Sequence, residues 1–211
     1  MNNLGFIHQF VPAPSGAKSG RTLLLLHGTG GDENQLVDLG RAIDPGANLL
    51  SPRGKVLENG AARFFRRLAE GVFDEADVVA RARELARFVA AAAQHYEIDS
   101  ARLVAVGYSN GANIAAAMMF LAAASFHRAI LLRPMVPLSQ VELPDLKNAR
   151  VLLSAGQLDS IAQPSIVKKL GDLFRAAGAE VDLVVQPSGH ELSADDVATA
   201  QKWIALSERG A

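Results

Sequence analysis

The 211-residue chain contains no cysteine. That excludes disulfides, thiolate metal sites and a cysteine nucleophile, and it is compatible with the cytosol. No charge of one sign is in excess: 21 Lys and Arg stand against 22 Asp and Glu, for a net charge of -1. A nucleic-acid binder would carry a basic surplus on some face. The densest basic stretch, with Arg63, Arg66 and Arg67 around two Phe residues, is followed at once by Glu70, Asp74, Glu75 and Asp77. It reads as a solvated segment with local ion pairs. A long hydrophobic run is also missing. The longest apolar stretch, 112–124, is interrupted by Asn113 and falls short of the roughly 20 residues that cross a bilayer. Residues 1–10 lack the basic start and apolar run of a secretory signal. Neither a repeat nor a low-complexity tract occurs. The expectation is a soluble cytoplasmic protein with no membrane span and no nucleic-acid partner.

What is present fits a packed domain. Hydrophobic residues make up 49% of the chain and charged residues 20%, enough for a core and too little net charge for disorder. A Pro/Gly/Ser-rich patch at 12–20 reads as a loop after a short extended segment, so residues 1–211 are expected to form one domain. Short apolar runs then recur at 22–26, 48–50, 102–106, 129–132, 151–154 and 181–185. Several are nearly all apolar, as in strands buried on both faces of a parallel sheet. Helical patterns lie between them at 33–43, 75–96, 110–123, 165–177 and 194–206. Strand followed by helix, repeated, predicts a doubly wound α/β fold with a mostly parallel sheet flanked by helices. Ligands in such folds sit at the carboxyl ends of the strands, so chemistry is sought just after each apolar run.

One such position reads Gly107-Tyr108-Ser109-Asn110-Gly111, a G-x-S-x-G between a strand and a helix. That context marks a nucleophile elbow of the α/β-hydrolase fold, with Ser109 as nucleophile. A serine hydroxyl needs an adjacent base, and the chain order in this fold is Ser, then Asp or Glu, then His. Of five histidines, His8, His27 and His95 precede Ser109, and His127 follows too closely. His190, directly after the run 181–185, is the candidate base. Asp159, in the loop after 151–154, is the candidate acid that holds the His tautomer, with Asp182 a distant second. The loop His27-Gly28-Thr29-Gly30-Gly31 after the first buried strand resembles the H-G-G-G loop of an oxyanion hole. Its donor is expected to be the Thr29 N–H, paired with the Asn110 N–H at the helix N-terminus. His27 is expected to fix that loop rather than to act as a second base. No Gly-Lys-Ser/Thr follows the glycines, which excludes a phosphate loop. No zinc-ligand spacing occurs either, so neither a metal nor a cofactor is expected.

Together with Ser51-Pro52-Arg53-Gly54 and Arg133-Pro134-Met135-Val136-Pro137, these motifs make the sequence resemble the phospholipase/carboxylesterase family of small α/β-hydrolases over nearly its whole length. It looks closest to the bacterial branch linked to quinone and aromatic-compound stress. The resemblance implies a cofactor-independent esterase, thioesterase or lysophospholipase acting on a small-molecule ester. Several members form dimers, so a homodimer is one expected state. No insertion is long enough for a large lid. The segment 55–74 is a natural pocket wall and carries Phe64, Phe65 and the arginines Arg63, Arg66 and Arg67. Arg53 and Arg133 each follow a strand. Phe64, Phe65, Arg53 and Arg133 are the candidate substrate-binding residues, with the arginines expected to favour an acidic or polar acyl group or, with equal weight, to be tied up in ion pairs. The alternative outside enzymes is a non-catalytic ligand-binding protein of the same fold.

Overall fold

The computed structural model describes residues 4–17, 19–121 and 126–206. Its centre is a seven-stranded sheet. In chain order the strands of this sheet and of two small hairpins are β1 (His8–Val11), β2 (Thr22–Leu26), β3 (Asn48–Pro52), β4 (Val56–Glu58), β5 (Ala61–Arg63), β6 (Arg67–Ala69), β7 (Val72–Phe73), β8 (Leu103–Tyr108), β9 (Arg128–Leu132), β10 (Arg150–Gly156) and β11 (Glu180–Gln186). The central order is β1-β3-β2-β8-β9-β10-β11. β1 pairs antiparallel with β3, and the other pairings are parallel. The helices are α1 (Val37–Ile43), α2 (Glu75–His95), α3 (Asn110–Phe120), α4 (Pro164–Ala176) and α5 (Ala194–Leu206). Among the described residues, no helix is long and apolar enough to cross a membrane.

The continuous apolar runs are explained by burial on both faces. Along β2, Leu24 and Leu26 join α2, α3 and α4 in one core, while Leu23 and Leu25 join α1 and α5 in the other. The same alternation divides Leu103 and Ala105 from Val104 and Val106 in β8. Successive side chains point to opposite faces, so a strand with helices on both sides has no polar position to spare.

From β2 the chain moves outward to β3 on one side and then returns to β8 on the other. The crevice at this reversal, beyond the carboxyl ends of β2 and β8, is where an open α/β sheet offers a site.

Two segments depart from the sequence reading. Helix α1 begins at Val37 instead of residue 33. Asp32 turns back to accept the Asn34 N–H, and the Gln35 side chain accepts the Gly28 N–H at 2.9 Å. Residues 32–36 are therefore spent bracing the loop after β2. The wall at 55–74 is two hairpins, β4–β5 and β6–β7. Asn59 and Gly60, with φ of 51° and 84°, turn the first one. An Asn-Gly pair is the dipeptide that such a two-residue turn favours. The last residues of the third expected helix, 122–123, lie outside the described residues.

Candidate active site

Strand β8 ends at Tyr108, and α3 starts two residues later. Ser109 between them has φ 50° and ψ -112°, a conformation that side chains rarely adopt and that costs about 1–3 kcal/mol. The surroundings enforce it. Ser109 N–H donates to the Leu132 carbonyl of β9 at 2.9 Å, extending the ladder by one residue. A Cβ on Gly107 would lie 2.6 Å from the Ala112 Cα, and one on Gly111 would lie 1.9 Å from the Leu26 carbonyl oxygen. Strand and helix can thus meet only through bare backbone. The seryl oxygen stands at the crevice, over the free N–H groups of the first turn of α3.

Two loops bring the partners. His190 Nε2 lies 2.9 Å from Ser109 Oγ, and His190 Nδ1 lies 2.8 Å from Asp159 Oδ2. The other Asp159 oxygen accepts the N–H groups of Ile161 and Ala162 at 2.8 and 2.9 Å. That carboxylate is therefore anchored on one side and presented to the imidazole on the other. The acid loop is stitched to the histidine loop by Leu158 N–H to Ser188 O, 2.9 Å.

The histidine loop is held at three successive carbonyls. Arg133 Nε donates to Gly189 O at 2.9 Å, Tyr108 Oη to His190 O at 3.1 Å, and Arg133 Nη2 to Glu191 O at 3.1 Å. Arg133 is fully buried and forks onto Asp196 with contacts of 2.8 and 2.9 Å. Burial alone would raise the Asp196 pKa, but hydrogen bonds from Arg133, Ser154 and Ser193 outweigh it and leave the pKa below the ordinary carboxylate value.

On the opposite side, the loop after β2 places Thr29 next to Ser109 and Asn110. The Thr29 N–H meets no acceptor among the described residues. The β4–β5 hairpin clamps this region at three points. Gly30 N–H donates to Ala62 O at 2.9 Å, Arg63 Nη1 to Thr29 Oγ1 at 2.6 Å, and Phe64 N–H to Asn110 Oδ1 at 2.7 Å. His27 is enclosed beneath. Its Nε2 accepts the Gly54 N–H at 2.8 Å, and its Nδ1 lies 2.7 Å from Gly28 O, which assigns the Nδ1–H tautomer. Burial lowers the His27 pKa, so it stays neutral at pH 7 and acts as a brace.

The structure thus brings Ser109, His190, Asp159, Thr29 and Asn110 together. Asp182 lies elsewhere, bonded to Trp203 Nε1 and Arg150. The four expected substrate-binding residues do not reach the cavity at Ser109. Arg53 is paired with Glu33, Nη2 to Oε1 at 2.8 Å. Arg133 has its guanidinium enclosed by the histidine loop and Asp196. Phe64 and Phe65 belong to the core. The cavity, of about 40 Å³, is instead bordered by Arg63, Arg67, Asn113 and Met135 beside Thr29, Ser109 and Asn110. Asn113 was legible in principle, since it lies one helical turn from Ser109. Arg63 and Arg67 are among the arginines of the 55–74 wall that the sequence offers as candidates for favouring an acidic or polar acyl group. Among the described residues, no group of three His, Asp or Glu could hold a metal ion.

Comparison with known proteins adds independent findings. The sequence profile of a family described as Phospholipase/Carboxylesterase matches residues 8–208. A Bacillus subtilis (strain 168) relative described as a hydrolase, MhqD, is 47% identical over 185 residues, 88% of this chain and 92% of its own. The solved carboxylesterase of Bacillus cereus superposes with a TM-score of 0.92 at 41% identity, over 97% of this chain and 96% of its own. The carboxylesterase of Mesorhizobium loti does so with a TM-score of 0.91 at 36% identity, over 97% of each chain.

Proposed function

The chain belongs to the phospholipase/carboxylesterase family and has its α/β-hydrolase fold, and from that premise we propose that it is a serine hydrolase cleaving small carboxylic esters through an acyl-enzyme. The observation that carries this reading is the unbroken hydrogen-bonded series Ser109–His190–Asp159 at 2.9 and 2.8 Å.

His190 Nε2 takes the hydroxyl proton as Ser109 Oγ attacks the ester carbonyl carbon. Asp159 keeps the other ring nitrogen protonated and stabilises the imidazolium that forms. The oxyanion develops toward the N–H groups of Thr29 and Asn110, which cost no reorganisation because the hairpin and the helix already fix them. Imidazolium then returns its proton to the departing alkoxide as the C–O bond breaks. Water, deprotonated by His190, attacks the acyl carbon and releases the acid and free Ser109. The small cavity supports a short acyl group. Its volume is about 40 Å³.

The test is labelling with a fluorophosphonate probe, alongside turnover of p-nitrophenyl esters from acetate to palmitate. Wild type is expected to label and to prefer short chains. Ser109→Ala should lose labelling and about 10⁴-fold or more in kcat. A folded wild type that neither labels nor turns over any ester would refute the reading.

A further inference from the structure

The cavity beside Ser109 is rich in donors and poor in acceptors. Asn110 Oδ1 and Asn113 Oδ1 accept backbone N–H groups, from Phe64 at 2.7 Å and Met135 at 2.6 Å. A backbone N–H can only donate, so both amide orientations are settled and each NH2 group faces away from its bond. Asn110 Nδ2 is buried with no partner, and Asn113 Nδ2 meets no acceptor among the described residues. Arg63, only 3% exposed, uses Nε for Phe65 O and Nη1 for Thr29 Oγ1. Its Nη2 makes no hydrogen bond among the described residues. Of these groups Asn110 Nδ2 is wholly buried, and a buried donor without an acceptor marks where one belongs.

The charge agrees. Arg63 and Arg67 share one carboxylate, that of Glu58, at 3.3 and 2.8 Å. Burial depresses the Arg63 pKa, Glu58 opposes this, and the like charge of Arg67 adds to it. Among the described residues, the carboxylate that borders the cavity, Glu70, is exposed on the β6–β7 turn, where water screens it. A guanidinium out of water with a spare N–H matches a carboxylate better than any neutral group.

We propose that this cavity is a subsite for an anionic, carboxylate-sized group on the acyl portion of a short ester, held by Arg63 with Arg67 beside it and by the amides of Asn110 and Asn113. The inference rests on Ser109 being the esterase nucleophile. The preferred substrates are then half-esters of short dicarboxylic acids.

The test compares monoethyl malonate with ethyl butanoate, acyl groups of similar size that differ in charge, by pH-stat titration. Wild type is expected to favour the malonate at least tenfold in kcat/KM. Arg63→Met should reduce that ratio about tenfold, and the partly exposed Arg67→Met about threefold. The ratio cancels losses common to both esters, such as a loosened Thr29 loop. Should Arg63→Met fail to fold, the ratio in Arg67→Met decides. Hydrolysis of ethyl butanoate with no malonate preference, or equal losses on both esters in the variants, would overturn this inference alone. Hydrolysis of neither ester by a wild type that labels with fluorophosphonate would overturn the subsite alone, and hydrolysis of neither ester, nor of any p-nitrophenyl ester, without labelling would overturn the esterase reading with it.

Discussion

Replacing Arg133 with Met keeps a long side chain and removes every hydrogen bond that the guanidinium makes. The carboxylate of Asp196 then remains buried, since both side chains of the pair are 0% exposed. Breaking a buried pair by removing one partner costs about 3–5 kcal/mol, mostly from the stranded charge. The carbonyls of Gly189 and Glu191 also lose a donor, and these losses overlap with the first because they share one side chain. A total of about 4 kcal/mol is a large share of a domain stability of roughly 5–15 kcal/mol. Urea unfolding followed by the fluorescence of Trp203, the sole tryptophan, measures it. Adding Asp196→Asn neutralises the stranded charge and should recover about 1–3 kcal/mol. Below the unfolding range, kcat should fall about 10–100-fold with KM little changed, because the imidazole is no longer held in line with Ser109. Arg133→Lys should recover only part, since three donors on one ammonium nitrogen cannot span the acceptors on Gly189, Ser154, Asp196, Ser188 and Glu191 that the guanidinium reaches. An unfolding midpoint and a kcat equal to wild type in Arg133→Met would refute the reasoning.

Tyr108→Phe removes one hydroxyl bond to His190 O; kcat should fall about three- to tenfold, with stability lower by about 1 kcal/mol, as steady-state kinetics and urea titration would show. Asp196 has its pKa lowered in the folded state. Its contribution to stability is therefore present above the unfolded carboxylate pKa and lost as pH falls through the folded value, below the ordinary 3.8. Asp196→Asn should flatten the stability profile in that acid window, measured by urea midpoints against pH. Gly111→Ala drives a Cβ to 1.9 Å from Leu26 O, so strand and helix must separate; a loss of about 3 kcal/mol and of the Ser109 geometry is expected, and soluble expression with wild-type kcat would contradict it.

Much of the fold is legible along the chain because it follows from local patterning. The apolar run at 22–26 coincides with β2, since a strand covered on both faces cannot carry polar side chains at alternate positions, and the run at 181–185 lies within the edge strand β11, which is only partly covered and admits Asp182. The helix at 33–43 is the exception. Its first turn has helical spacing, but Asp32 accepts the Asn34 N–H in a local turn and Gln35 accepts the Gly28 N–H of the preceding loop, and side-chain bonds of that kind compete with helix. The two hairpins at 56–73 are short and partly polar, so alternation gives little signal there. Asn59-Gly60 was the one clear mark.

The sequence by itself determined the order Ser109, Asp159, His190, each just after an apolar run, and the glycines that let backbone pack against backbone. These are properties of neighbouring residues and of the strand ends that they follow. Only the tertiary structure decided where the arginines point. A guanidinium on a long stem has many rotamers, and its partner is set by whatever carboxylate packing brings near. Arg133, which follows a strand at the site edge, is bound to Asp196, 63 residues away. Arg63, inside what reads as a solvated basic stretch, reaches Thr29, 34 residues back, because an Asn-Gly turn folds β5 over the oxyanion loop. Charge pattern along the chain does not encode such pairings, so the order of Ser109, Asp159 and His190 can be read from the sequence while the partners of the arginines cannot.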